Sequence, residues 1–213
     1  LKNRPQWYTV SNRSRTYVEK VLKNISGEIF KNYKVNKISR SEDNVRVRIG
    51  DEYLDYDHVI LASHADQSLK MLENPTENEI RILNKFKYVS NIAILHTDKK
   101  LMPKKKLAWS SWNSISKGNK TCVTYWLNNL QNLKCDENYF LTLNPIYEID
   151  KANIIKKINF THPYFNKETL KLQNSLHHLQ GKKRTWYCGA YFGYGFHEDG
   201  LKSSIELLKK FKT

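Results

Sequence analysis

The residues best suited to chemistry lie near the C-terminal end, in Thr185-Trp-Tyr-Cys-Gly-Ala-Tyr-Phe-Gly-Tyr-Gly-Phe-His-Glu-Asp-Gly200. Four of the eight glycines, Gly189, Gly193, Gly195 and Gly200, fall within this segment. A backbone without Cβ atoms admits a ligand closely and takes positive φ. The run then passes into helix-forming sequence, with Leu201, Ile205, Leu208 and Phe211 spaced along one face. A helix N-terminus opening onto a glycine turn offers free N–H groups and a positive dipole end to an anionic or electron-rich group. The same residues also read as an ordinary loop in which Asp199 caps the helix. The His197 imidazole suits a proton relay or a hydrogen-bond donor, and equally a structural histidine of the turn. Gly193-Tyr-Gly-Phe-His-Glu198 is not a dinucleotide fingerprint, because Glu198 stands where the third glycine belongs and too little chain follows for a second strand.

The elements that must position this segment are legible from hydrophobic patterning. Arg13–Asn24 reads as a helix with Tyr17, Val18, Val21 and Leu22 on one stripe. After Gly27, the stretches Glu28–Phe30, Lys34–Arg40 and Val45–Ile49 read as strands, with a turn at Asp43-Asn44. Val59–Ala62 is a continuous apolar run, as in a strand buried on both faces, and Ala65–Leu72 leaves it as a helix. Glu77–Phe86 is a further helix. Strand-like, aromatic-rich runs follow at Val89–His96, Lys106–Trp112, Thr121–Leu127 and Tyr139–Leu143, predicting a mixed or antiparallel sheet. Thr185–Cys188 is the strand that delivers the glycine turn.

Several stretches together carry a resemblance. Cys188–Ser203 resembles the C-terminal flavin motif of the flavin-containing amine oxidase superfamily, more narrowly its predicted NAD/FAD-binding, amine-oxidase-like oxidoreductases. Arg4–Val10, Asp57–Asp66, Ala108–Asn113, Val123–Asn128, Leu143–Pro145 and His162–Phe165 resemble that group in the same order. The resemblance implies an α/β (α+β) chain: the C-terminal part of a two-domain FAD-dependent fold, with a mixed or antiparallel-sheet substrate domain inserted in the FAD domain. On that reading residues 1–74 are part of the FAD domain, 75–180 the substrate domain, and 181–213 the FAD domain's closing strand, turn and helix. The family's pyrophosphate-binding βαβ unit would lie before Leu1. FAD is the implied cofactor. Its contacts would come from Val35 at the adenine, from Gly189 and Ala190 along the ribityl and pyrophosphate, and from the backbone N–H groups of Glu198, Asp199 and Gly200 at the ring edge, with Ala62 and Leu201 also among the cofactor-binding residues. Many relatives carry an acid where Ala190 stands. His197 is the candidate catalytic group, and Trp109, Trp112, Tyr125, Tyr191 and Phe196 are candidate pocket walls. His64 stands where many relatives carry proline.

The implied reaction is hydride removal from an apolar or amine-bearing small molecule to flavin. A silent flavin-fold binding protein, or a basic lipid-surface or nucleic-acid binder, are the alternative classes. The net charge of +15 invites nucleic acid, but the lysines are scattered and no groove-reading module accompanies them. Weak attraction to anionic membrane surfaces remains open. No apolar run is long enough to span a bilayer. Three cysteines without a Cys-x-x-Cys pair argue against a disulfide framework or a metal site and point to buried, inert thiols in a cytoplasmic protein. No Gly-x-Ser-x-Gly elbow anchors hydrolase chemistry.

Overall fold

A computed structural model describes Gln6 and Tyr8–Phe211. Of the stretch Arg4–Val10, the residues Arg4, Pro5 and Trp7 lie outside the described residues. In chain order the elements are α1 (Arg13–Lys23), β1 (Val35–Arg40), β2 (Val45–Ile49), β3 (Glu52–Tyr56), β4 (Val59–Leu61), α2 (Ala65–Met71), α3 (Glu77–Leu83), β5 (Lys87–His96), β6 (Trp112–Lys117), β7 (Lys120–Trp126), α4 (Leu127–Leu130), β8 (Phe140–Leu143), β9 (Ile154–Tyr164), α5 (Lys167–Leu172), β10 (Thr185–Tyr187) and α6 (His197–Phe211).

These residues form two compact units, one comprising the chain up to Ile29 with Ser90–Phe160, the other Phe30–Val89 with the chain from Thr161 onward. The divisions differ from those expected at residues 74 and 180. Packing explains the difference. Ile82, Leu83 and Phe86 of the α3 segment, and Leu176 and Leu179 ahead of β10, share one core with Ile38, Val45, Leu61 and Tyr187.

In the second unit, β1, β2 and β3 form an antiparallel meander. Ser41 makes its first turn, accepting the Asn44 N–H at its hydroxyl while its own N–H donates to the Asn44 carbonyl. β4 and β10 form a separate parallel pair, Val59 opposite Thr185 through Leu61 opposite Tyr187. The expectation that β4 is covered on both faces is corrected here, because Ile60 is 46% exposed and Ala62 is exposed. A two-stranded sheet covers less of β4 than a wider one would.

A buried ion pair ties three elements of this unit together. Arg40 of β1 grips Glu79 of α3 through both guanidinium arms, at 2.6 and 3.0 Å, and the Tyr187 hydroxyl of β10 donates to the same carboxylate at 2.6 Å. Glu79 also accepts from the Thr76 N–H, while Thr76 accepts from the Glu79 N–H, so the capping box that starts α3 and the ion pair share one carboxylate. Burial alone pushes Glu79 up, but the bonds from Arg40, Tyr187 and Thr76 outweigh it and hold the carboxyl below its ordinary value.

The first unit holds a five-stranded sheet in the order β6-β7-β8-β5-β9, with antiparallel pairing through β6, β7, β8 and β5. One face is closed. There the row Ile94, Thr142, Thr124 and Asn113 is buried, His96 donates to or accepts from Thr142 at 2.8 Å, and Thr142 meets Thr124 at 2.8 Å. Burial pulls the His96 imidazole below its ordinary pKa despite the nearby Asp98. The opposite face carries the row Leu95, Leu141, Tyr125 and Trp112, of which only Trp112 is exposed.

Other expectations change. Glu28–Phe30 forms no strand, and Lys106–Ala108 is a short 3-10 turn, with β6 beginning only at Trp112. Strands β3 and β9 were not anticipated, because Glu52–Tyr56 and Ile154–Tyr164 lack a clean alternation of apolar and polar residues. The stripe on α1 is real but no α1 residue is buried. α6 starts four residues earlier than expected and turns Ser203 and Leu207 inward, leaving Leu201, Ile205 and Leu208 exposed. Cys122 and Cys188 are buried, but Cys135 is exposed, so the expectation of three buried thiols holds for two.

Candidate functional site

The segment after β10 is built by side chains that hold backbone. Tyr187 is gripped at both main-chain groups by Gln180, whose amide donates to the Tyr187 carbonyl at 2.7 Å and accepts its N–H at 2.9 Å, as an added strand would. Next, Gly189 takes φ 150°, where a Cβ would come within 2.8 Å of the Tyr191 ring. Its N–H donates to the Ser203 hydroxyl of α6 at 2.9 Å, and that hydroxyl donates to the Gly200 carbonyl at 2.7 Å. A 3-10 turn over Ala190–Phe192 follows, and the Ala190 carbonyl accepts from both Gly193 and Gly195 at 3.1 Å. Gln173 closes the loop by donating to the carbonyls of Tyr191 and Gly193.

Asp199 organises the helix entrance. It is not the N-cap that its type suggested. From the first turn of α6 its carboxylate reaches back and accepts the N–H groups of Tyr194 at 3.0 Å and Phe196 at 2.9 Å. A Cβ on Gly193 would lie 2.3 Å from that carboxylate, so the glycine there makes room for the acid. Gly200 differs from Gly193, since an added Cβ would meet nothing nearer than the Ala190 nitrogen at 3.8 Å. Its Hα side is open to a ligand.

The N–H groups expected to face a ligand are redistributed. Those of Asp199 and Gly200 both bond the Phe196 carbonyl, at 3.1 and 3.3 Å. Those of His197 and Glu198 have no acceptor among the described residues. The positive end of a fifteen-residue helix therefore presents two free donors beside an open glycine. The His197 and Glu198 side chains are exposed, with Glu198 3.7 Å from Lys202. Leu201 is 57% exposed, and Phe196 69% exposed.

Beside this entrance runs a cleft of about 810 Å³ lined by Val35, Ile60, Ala62, Ser63, Gln67 and Met71, with Lys34 and Lys70 also on its wall. The start of the glycine segment lies against the end of β4. The Cys188 N–H bonds the Leu61 carbonyl at 3.1 Å, and the Ser63 carbonyl lies 3.9 Å from where a Gly189 Cβ would be. The structure thus places Val35 and Ala62 in one cleft, and Gly189 beside Ser63 of its wall, while Ala190, Glu198, Asp199, Gly200 and Leu201 lie outside its lining. His64 is a framework residue at the start of α2, stacked on Tyr88 at 4.1 Å. The Tyr88 oxygen accepts the Ala65 N–H, and burial, partly opposed by that bond, pushes this phenol up to about 12.

The expected pocket walls separate into three groups. Tyr191 is core: it is 3% exposed, packed against Phe86 and Phe192, and burial holds its phenol well above the ordinary value. Trp109 is likewise a packing residue, its indole N–H bonded to the Pro103 carbonyl and its ring set edge-on to Trp126 and Phe140. These two are corrected. Trp112 and Tyr125 are cross-strand partners on one face of the first unit's sheet, and Trp112 is 51% exposed. Phe196 is exposed in the second unit. Gln173, Gln180 and Ser203 were missed, because a side chain that bonds distant backbone leaves no local pattern. The stretch His162–Phe165, matched in sequence without a reading, packs Pro163 and Phe165 within about 3.5 Å of a Gly195 Cβ position.

A profile of flavin containing amine oxidoreductases matches residues 14–132. Among solved structures, a CLA-producing fatty acid isomerase from P. acnes superposes with a TM-score of 0.67 at 13% identity, covering 94% of this chain and 52% of that one. Putrescine oxidase bound to putrescine gives 0.64 at 9% identity, covering 95% and 54%. Cyclohexylamine oxidase from Brevibacterium oxydans gives 0.51 at 9%, covering 85% and 49%. These likenesses are of fold, a mixed α/β arrangement with antiparallel sheets. The chain spans about half the length of the structures it matches. No curated protein matches it by sequence.

Proposed function

The chain belongs to the flavin containing amine oxidoreductase family, and from that membership we propose that it supplies part of the cofactor site and substrate wall of an FAD-dependent oxidoreductase. The observation that carries the reading is the entrance to α6, where the free N–H groups of His197 and Glu198 stand beside Gly200, whose Cβ direction is open. The residues fit a flavin. A negative charge developing at an electron-rich ring edge is stabilised there by fixed donors, without a buried cation. The cleft holding Val35 and Ala62 is large enough for the adenosine end, and Lys34 and Lys70 supply positive charge for phosphates.

When bound, the flavin accepts the hydride; the chain's part is to orient the ring, stabilise charge and exclude water. Asp199 keeps the turn closed, Gln173 and Ser203 hold the glycine backbone in place, and Phe196 offers an apolar surface at the mouth. His197, exposed at the first position of α6, is suited to holding a proton near the ring edge. The sheet face with Trp112 and Tyr125 is suited to an apolar or amine-bearing substrate carrying the C–N or C–C bond from which hydride leaves. We assign the flavin to the second unit.

The test is a visible spectrum of the full-length protein and its Gly200→Val variant. The native protein should show the two bands of an oxidised flavin and lose them anaerobically with substrate. Gly200→Val, which finds room in the folded chain, should fold and retain little flavin. A well-folded variant with full flavin occupancy overturns the assignment. Flavin bands that no substrate bleaches would leave a binding protein in place of an enzyme.

A further inference from the structure

We infer that the loop Lys104-Lys-Lys-Leu107 docks the protein on the surface of an anionic lipid bilayer. Leu107 is fully exposed, the most exposed large apolar side chain in the described chain. Lys104, Lys105 and Lys106 precede it, all exposed, and none lies within ion-pair distance of a carboxylate among the described residues. A leucine in water at the end of three unpaired cations serves no packing or ion-pair function within the fold.

The loop is held in that posture. Leu101 and Met102 are buried on its entering side, with Leu101 in the core of the first unit. On the leaving side the Trp109 ring packs between Trp126 and Phe140, and its indole N–H bonds the Pro103 carbonyl at 2.8 Å across the base of the loop. Two turn bonds, Ala108 N–H to the Lys105 carbonyl and Trp109 N–H to the Lys106 carbonyl, both 3.0 Å, fix the tip. Little ordering remains to be done on binding.

The chemistry selects the occupant. Lysines near a negative leaflet are attracted to it and the attraction falls with salt. Nucleic acid would satisfy the lysines equally, but it offers Leu107 no apolar medium, and the tip carries no aromatic ring to stack on a base. A bilayer interface satisfies both, with the leucine at the acyl boundary and the ammonium groups at the phosphates. The contact is peripheral, since among the described residues no helix is long and apolar enough to cross a membrane. The inference does not rest on the flavin reading, and binding alone decides it.

The experiment is co-sedimentation of the full-length protein with vesicles of phosphatidylcholine alone, or with about a third phosphatidylglycerol, at low and high salt. Wild type should bind the anionic vesicles only, and less at high salt. The triple variant K104A/K105A/K106A should lose roughly a hundredfold in affinity, and Leu107→Ser about tenfold, with circular dichroism unchanged. Binding that neither variant alters overturns the proposal, as does no binding to anionic vesicles. If a DNA duplex binds as tightly as the vesicles and Leu107→Ser changes neither, the loop is an electrostatic patch for polyanions and the lipid assignment fails.

Discussion

At the scale of single residues, the decisive group is Asp199. Its type and position suggested a helix cap, and its structure shows an acid reaching backwards to hold the glycine turn against the helix. A Cβ on Gly193 would collide with that acid, whereas a Cβ on Gly200 would meet nothing nearer than 3.8 Å. Sequence could count the glycines but not separate them, because both roles require the same missing Cβ. A double-mutant cycle separates them. Asp199→Ala should cost about 1–2 kcal/mol of stability, the usual value of a lost helix-end acceptor. Gly193→Ala should cost a similar amount by displacing the same carboxylate, and the double variant should cost clearly less than the sum. Urea unfolding of the four proteins reads the coupling, and strict additivity would separate the two residues.

Among elements, β1, α3 and β10 are fastened by Arg40, Glu79 and Tyr187. Nothing in sequence announces this, since the three lie far apart in the chain and each sits in an unremarkable local pattern. The capping box at Thr76 and Glu79 and the second use of its acid are both seen only in the structure. Removing one partner leaves a buried charge, so Arg40→Met should cost about 3–5 kcal/mol. The acid side follows from the direction of the shift. Glu79 is held below its unfolded value of about 4.3, so its contribution is full above that pH and is lost as pH falls through the folded value. Unfolding free energy should therefore decline below about pH 4–5, and Glu79→Gln should flatten that decline while lowering stability at neutral pH.

The sheet of the first unit makes a second distinction between elements. Trp109 and Trp112 are three residues apart in one aromatic run, and sequence assigned them together. Cross-strand register places Trp112 on one face with Tyr125, whereas Trp109 is locked into packing. Trp112→Ala should raise KM for an apolar substrate while leaving flavin absorbance nearly unchanged. Trp109→Ala should instead lower stability, by less than the about 3–5 kcal/mol of a fully buried Trp→Ala change, because Trp109 is half-buried. Loss of substrate binding without loss of stability in Trp109→Ala would reverse the assignment. The strands that sequence missed, β3 and β9, are largely exposed, so their residues were never constrained to alternate.

Over the whole molecule, each unit holds a buried cysteine among the described residues: Cys122 in the first unit's core and Cys188 in a small cluster with Trp186 and Leu207 in the second. Cys135 is exposed. Thiol labelling of the native protein should modify Cys135 alone, and rising urea should release Cys122 and Cys188 as their own units open. Labelling of all three in the absence of denaturant would contradict that burial. The order of the main elements was legible because it follows from hydrophobic period, and the fold class because the family resemblance carries it. The divisions between units were not, because α3 and the segment ahead of β10 choose their core by long-range packing.

The Asp199-Gly200 pair also bears on how the protein ages. An aspartate followed by glycine is chemically fragile, because the unhindered glycine nitrogen can attack the carboxyl and convert the linkage to isoaspartate. Here the carboxylate is held by two N–H groups on its far side, and the glycine nitrogen is fixed in the helix by its bond to Phe196. The fold that shapes the entrance thus protects its own backbone. A protein stored with that helix end frayed would accumulate permanent damage at the residue that organises the entrance.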